Sequence, residues 1–155
     1  MGVEIERKFL VRGAAWRQLG QPVRMVQGYL SSHKGRVVRV RIEGDQARLT
    51  IKGASHGATR GEWEYPIPVA EAEELLAICE QPLIDKTRTR IAQGRHVWEV
   101  DEFFGANAGL VVAEIELASE DEAFDKPDWV GTEVTGEARY ANASLIHHPY
   151  STWHS

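Results

Sequence analysis

The sequence predicts a mainly β chain, an eight-stranded antiparallel barrel with a charged lumen and a few helices at its margins. Three observations predict it. Short segments that alternate charged with apolar residues recur along nearly the whole chain. Turn sequences separate several of them at hairpin distances. The charged faces carry i, i+2 pairs of like sign, an arrangement that costs energy unless something neutralises it.

The first segment is VEIERKFLV, Val3–Val11. Read at a period of two, it sets Glu4, Glu6 and Lys8 on one face against Val3, Ile5, Phe9 and Val11, with Arg7 among the apolar residues. Ala14–Leu19 reads as a short helix, followed by a strand over Met25–Leu30. VVRVRI, within a strand over Val37–Glu43, aligns Arg39 and Arg41. EGDQ at Glu43–Gln46 is a hairpin turn into the strand Gln46–Lys52, where Arg48, Thr50 and Lys52 oppose Leu49 and Ile51. The glycine-bearing stretch Gly53–Gly61 reads as a longer flexible loop. The strand Glu62–Ile67 sets Glu62 and Glu64 against Trp63 and Tyr65.

Val69–Glu80 spaces Val69, Ala72, Leu75, Leu76 and Cys79 as a helix does. The strand Asp85–Ile91 aligns Lys86, Arg88 and Arg90, and QGRH at Gln93–His96 turns the chain into the strand His96–Phe103, with Glu99 and Asp101 opposite Trp98 and Val100. The strand Leu110–Leu117 aligns Glu114 and Glu116 against Ala113, Ile115 and Leu117. Ser119 followed by Glu122 has the spacing of a capping box and predicts a short helix. Glu137–His147 reads as a last helix ended by Pro149.

Composition narrows the function. A chain of 155 residues with 43% hydrophobic and 26% charged residues suits a single globular domain over 1–155. A net charge of -5 argues against nonspecific binding to nucleic acid or anionic membrane. The lone cysteine, Cys79, rules out an intrachain disulfide and reads as a small buried hydrophobe. No segment reaches the roughly 20 apolar residues of a membrane span, and no secretory leader is visible, so a cytoplasmic location is expected.

For any one strand, a charged face is most simply the wet side of a sheet. The set is harder to read that way, because eight acidic and eight basic side chains on seven strands are sorted by sign. The first, fifth, seventh and eighth strands are chiefly acidic, and the third, fourth and sixth are basic. Like charges two residues apart lie roughly 7 Å from each other at the backbone. Two carboxylates at that spacing can converge on one cation, and two arginines can grip one polyanion. Closing the sheet with the apolar faces outward brings both walls into one lumen, which suits a complex of a hard divalent cation with a phosphate chain. There is no glycine-rich phosphate loop, so side chains must hold the anion.

These segments resemble the CYTH superfamily, the triphosphate tunnel metalloenzymes. EIERK at Glu4–Lys8 matches the family's Glu-x-Glu-x-Lys signature, and RVRI, LTIK, EWEY, KTRTR, EVDEF, AEIEL and TGEARYANASL follow in the family's order over nearly the whole chain. The compact form is most similar to the small bacterial inorganic triphosphatases. The resemblance implies an eight-stranded tunnel taking a triphosphate substrate with Mg2+ or Mn2+. It implies metal ligation by Glu4 and Glu6 from the first strand and Glu114 and Glu116 from the last. Glu62, Glu64 and Asp101 are further metal ligands or their supports. Arg39, Arg41, Lys52, Lys86 and Arg88 would bind phosphate oxygens, Lys8 would sit near the transferring phosphoryl group, and Arg139 would reach the tunnel mouth.

The reaction expected is hydrolysis of tripolyphosphate to pyrophosphate and phosphate, with metal neutralising charge and activating water, and no covalent nucleophile. Adenylate cyclase, thiamine triphosphatase and RNA 5′-triphosphatase activities belong to the same superfamily. Trp63 and Trp98 fall on apolar faces, and only Tyr29, alternating with Gln27, is placed near the mouth, which favours a substrate without an organic group. A noncatalytic polyphosphate-binding module would not need the acidic set. A purely structural barrel would use the charges as internal salt bridges. A homodimer is one way to cover the apolar outer wall.

Overall fold

The computed structural model describes residues 2–153. It contains nine strands: β1 (Gly2–Val11), β2 (Pro22–Ser31), β3 (Arg36–Glu43), β4 (Gln46–Gly53), β5 (Thr59–Ile67), β6 (Ile84–Gln93), β7 (His96–Phe103), β8 (Val111–Glu116) and β9 (Val130–Glu133). Helix α1 spans Val69–Ile78 and α2 spans Asn142–His147. Among the described residues the strand order is β5-β4-β3-β2-β6-β7-β8-β1-β9, and an antiparallel pairing of β5 with β1 closes the first eight into a ring. One edge of β1 serves β8, while the other is shared by β5 near Gly2–Ile5 and by β9 near Phe9–Val11.

Directly opposed residues of an antiparallel pair share a face. The register therefore fixes what looks inward: Lys8 opposes Glu114, Arg39 opposes Thr50, Thr50 opposes Glu64, and Arg88 opposes Asp101. All of these lie on the charged faces. The apolar faces point outward, as the alternation requires, and are covered from outside over much of the wall, while Val3, Leu30 and Tyr65 stay exposed. Helix α1 lays Ala72 and Leu76 over Val40 and Ala47, with buried Cys79 in the same cluster. The other half of the wall, Phe9, Trp98, Val100, Ala113 and Ile115, is covered by Trp16, Phe124, Trp129 and Val130. Trp98 lies edge-on to Phe9, Phe124 and Trp129 at centroid distances of 5.5, 5.8 and 5.7 Å.

The hairpin turns fall where expected, with Gly44 at φ 58 and Gly94 at φ 59 supplying the left-handed residue each needs. The short helix expected over Ala14–Leu19 is present as a 3-10 turn at Ala15–Gln18, and three elements differ from the sequence expectation. The Ser119–Glu122 stretch makes a turn and no helix, because Glu122 accepts from Ala118 N and pairs with His96, and Pro127 follows five residues on. The stretch Glu137–His147 is split into a 3-10 turn at Ala138–Tyr140 and α2. The expected flexible loop is short and pinned, since Glu120 accepts hydrogen bonds from Ala58 N and Thr59 Oγ1.

Strand β9 was not expected. It explains Arg7, whose guanidinium reaches across to Glu133 with hydrogen bonds of 2.8 and 2.6 Å and lies 5.0 Å from the Phe124 ring. A cation on the apolar face is thereby paired and stacked.

At one end of the barrel the inward positions turn apolar. Tyr29, Val37, Ile84, Phe103 and Val112 cluster with Tyr140, Leu145 and Ile146, so α2 and the turn before it form a floor and the tunnel is blind at that end.

The outer wall depends on close approach at Gly28. A Cβ there would fall 2.7 Å from Leu83 Cδ2 and 2.8 Å from Cys79 Cβ. Gly28→Ala is expected to lower stability by about 1–3 kcal/mol through overpacking, read as a lower urea midpoint with an unchanged slope.

Candidate active site

The inner wall above the floor is built from the eight strands β1–β8. Lys86 and Asp101 are 1% and 0% exposed, and their Nζ–Oδ2 distance is 2.7 Å. Arg88 completes the cluster, donating from Nε to Asp101 Oδ1 at 2.7 Å and from Nη2 to Oδ2 at 2.9 Å. Lys52 Nζ lies 2.7 Å from Glu4 Oε2 and 3.5 Å from Glu62 Oε2. Lys8 Nζ stands 4.0 Å from Glu114 Oε1. Arg39 donates to Thr50 Oγ1 at 3.2 Å, and Thr50 donates to Glu64 at 3.0 Å. Arg41 donates from Nε to Gln27 Oε1 at 2.8 Å. Toward the open end, Arg90 bridges Glu43 and Glu99, and Glu64 and Glu116 are exposed. An opening of about 460 Å3 there is lined by Arg95, His96, Glu99 and Glu116.

Burial and crowding set the protonation of these groups. Burial pushes the Asp101 carboxyl up, but Arg88 and Lys86 overcome it and bring it down to about 2. Burial pulls the Lys86 ammonium down to about 7 against the attraction of Asp101. Burial, then Arg39 and Arg88, bring Arg41 down to about 9. The carboxylates fall into two pairs, each with one member raised and the other lowered. Burial and Glu114 hold Glu6 well above the carboxylate range, while Glu114 stays well below it because Lys8 and the hydrogen bond with Glu6 outweigh its burial. Burial and the hydrogen bond to Glu4 bring Glu62 up to about 7, and Lys52 overcomes the burial of Glu4 to keep it lowered.

The donor set suits a hard cation. It is made of carboxylate oxygens, and Glu4 Oε2 is buried without an aligned hydrogen bond. Among the described residues no three acidic, histidine or cysteine side chains already converge as a closed metal cage. An open site of one or two carboxylates, completed by phosphate oxygens, is how magnesium is commonly held. On the cationic side, Arg39 Nε is buried without a hydrogen-bond partner.

Thirteen of the fourteen residues singled out in the sequence lie on the inward faces of β1, β3–β8, from the buried Asp101 to the exposed Glu64 and Glu116. Arg139 does not join them. It is exposed, 4.6 Å from the Trp153 ring and 5.1 Å from the Tyr140 ring, on the C-terminal cap. Tyr29 lies in the floor rather than at the mouth. The sequence reading also missed Gln27, Asn142 and Arg60. Arg60 opposes Glu4 on β5, and the period-two run Arg60, Glu62, Glu64 carries that signal. Asn142 carries none, because it reaches the site from a helix outside the barrel's alternation.

The CYTH domain model matches residues 2–150 of this chain. An inorganic triphosphatase of Acetivibrio thermocellus is 50% identical over 154 residues, 99% of each chain. An inorganic triphosphatase of Nitrosomonas europaea is 37% identical over 147 residues, covering 92% of this chain and 95% of that one. Among solved structures, an inorganic triphosphatase crystal structure superposes with a TM-score of 0.66 at 34% identity, covering 94% of this chain and 95% of that one.

The Asp101 cluster makes a pH prediction. A carboxylate lowered from 3.8 to about 2 stabilises the fold fully above pH 3.8 and loses that contribution as the pH falls toward 2. Asp101→Asn strands two buried cations, so it is expected to cost about 3–5 kcal/mol near neutral pH and to flatten the acid side of the stability curve, measured by urea unfolding from pH 2 to 7.

Proposed function

This chain belongs to the CYTH domain family, and we propose that it hydrolyses inorganic tripolyphosphate to pyrophosphate and phosphate with a divalent cation. One observation carries the reading: buried cations and paired carboxylates face each other inside one blind barrel. Arg39, Arg41, Lys52, Lys86 and Arg88 form the phosphate-binding wall, and Lys8 lies beside Glu114, close to the acidic wall. Glu4, Glu6, Glu114 and Glu116 would hold Mg2+ or Mn2+, with Glu62 and Glu64 beside them. Bound there, such a cation would neutralise phosphate charge and raise the reactivity of water. Asp101 has both oxygens engaged by Lys86 and Arg88, which suits an anchor for two phosphate-binding cations better than a ligand.

The balance of the reaction is simple. A water oxygen bonds to the terminal phosphorus, the bridging P–O bond breaks, pyrophosphate leaves with the bridging oxygen and its electron pair, and the proton that the water gives up passes to pyrophosphate or to solvent. The wall acts by holding the chain in line and by offsetting charge as it shifts to the leaving oxygen. Arg39 Nε, buried and unpartnered, is a donor held ready for such an oxygen. Among the described residues that line the opening there is no phenylalanine, tyrosine or tryptophan, and the one ring, His96, is held by Glu122, which supports a substrate without an organic group. A cytoplasmic location and a divalent requirement met by either ion complete the reading.

The test is phosphate release from tripolyphosphate, ATP and thiamine triphosphate with Mg2+, Mn2+ or EDTA. Metal-dependent release from tripolyphosphate is the expected outcome, and none from any substrate would overturn it. Glu6→Gln sharpens the test. Glutamine mimics the protonated carboxyl that Glu6 favours, so the melting temperature should barely move. Turnover should fall roughly 100-fold or more, since even residues that only support metal ligands cost up to about that factor.

A further inference from the structure

The floor carries polar contacts that the roles above leave unused. Asn142 is the first residue of α2, and its Oδ1 accepts from Lys86 Nζ at 2.9 Å and from Gln27 Nε2 at 3.1 Å. Gln27 is 1% exposed and passes the contact on: its Oε1 accepts from Arg41 Nε at 2.8 Å, and its Nε2 also donates to the Tyr29 hydroxyl at 3.0 Å. Two residues before Asn142, the Tyr140 carbonyl accepts from Lys8 Nζ at 3.2 Å. One short segment outside the barrel thus touches two inner-wall lysines directly and an arginine through one glutamine.

The segment is fixed on both sides. Leu145 and Ile146 are buried in the floor, and His147 Nε2 at the far end lies 3.0 Å from Glu80 Oε1 and 2.9 Å from Ser32 Oγ. A lysine ammonium has three donors on a flexible stem and loses up to about 2 kcal/mol of rotamer freedom when fixed. Asp101 engages one donor and Asn142 a second, which leaves the third for a ligand.

We propose that Asn142 is a positioning residue, orienting Lys86 directly and Arg41 through Gln27 against the phosphate chain. The proposal rests on the reading of the barrel as a triphosphate site. It explains why the floor, otherwise apolar, presents an amide and a carbonyl to the lumen side. It also gives α2 a task beyond closing the barrel.

The experiment is a double-mutant cycle of Asn142→Leu with Lys86→Met. Tripolyphosphate binding is titrated in EDTA, where no turnover competes, and each ligand-free protein is melted. Asn142→Leu is expected to weaken binding roughly tenfold with Lys86 present and about threefold or less with Lys86→Met, the remainder passing through Gln27. With Mg2+ the loss in kcat/KM should sit in KM, with kcat nearly unchanged, as for an interaction made equally with substrate and transition state. An equal loss in both backgrounds, no loss at all, or a loss carried by kcat would each overturn the proposal. Should Asn142→Leu melt far below the parent, Asn142→Ala, which adds no bulk, is read in its place. Failure of the parent protein both to bind tripolyphosphate in EDTA and to release phosphate from it with Mg2+ would instead overturn the triphosphate reading; where only the metal-free binding is too weak to titrate, the same cycle is read in KM with Mg2+.

Discussion

Ionised groups buried inside a small closed barrel must be matched to one another, and that requirement governs the rest of this structure. Removing a charge from water costs several kcal/mol, and attraction offsets the cost only where partners and hydrogen bonds are complete. Asp101 meets this with three donors from two cations. Acidic β1 pairs with acidic β5 and β8, and basic β3 pairs with basic β4. Across a flat sheet such neighbours would repel. Closure brings opposite walls together and turns a row of like charges into half of a balanced lumen.

An inward charged face forces an outward apolar one, and the chain must cover it. Helix α1 serves one side and the irregular stretch carrying Phe124 and Trp129 serves the other. That stretch takes the place of the one short helix that the spacing of Ser119 and Glu122 led one to expect there. The aromatic cluster around Trp98 is therefore an outer coat, while the polar interior is the functional core. A single wall thus performs two jobs with period two: odd residues of β1 such as Ile5 and Phe9 pack against the coat, and even residues Glu4, Glu6 and Lys8 face the lumen.

This is why so much of the wall was legible in the sequence. Alternation fixes the face, turn residues fix the hairpins, and like-signed pairs mark the faces that cannot simply be left unpaired. What escaped obeys no local period. Strand β9 is four residues long and is held by its pairing with β1. The capping-box spacing of Ser119 and Glu122 was real, but Glu122 spends its carboxylate on Ala118 N and His96, with no apolar period behind it to continue a helix. Arg139 lies on a helical-looking stretch whose rotation is set by Tyr140 packing into the floor, and this leaves its guanidinium against Trp153 outside. Asn142 enters the site from that same stretch, by tertiary contact alone.

The protons on the acidic wall bear on what the tunnel accepts. Burial beside another carboxylate holds Glu6 well above the carboxylate range and brings the half-buried Glu62 up to about 7, so both take up a proton more readily than a free carboxylate. With those protons in place the cationic side chains outweigh the charged carboxylates, and a phosphate chain finds partners. A divalent cation arriving with that chain would displace a proton from such a pair, because a carboxylate must be deprotonated to ligate well. One positive charge then leaves for each two that arrive, and the anion supplies the rest of the balance. A lining of this kind favours the metal–anion complex over either ion alone. On the proposed reading, metal dependence would therefore be felt already in binding and not only in the chemical step.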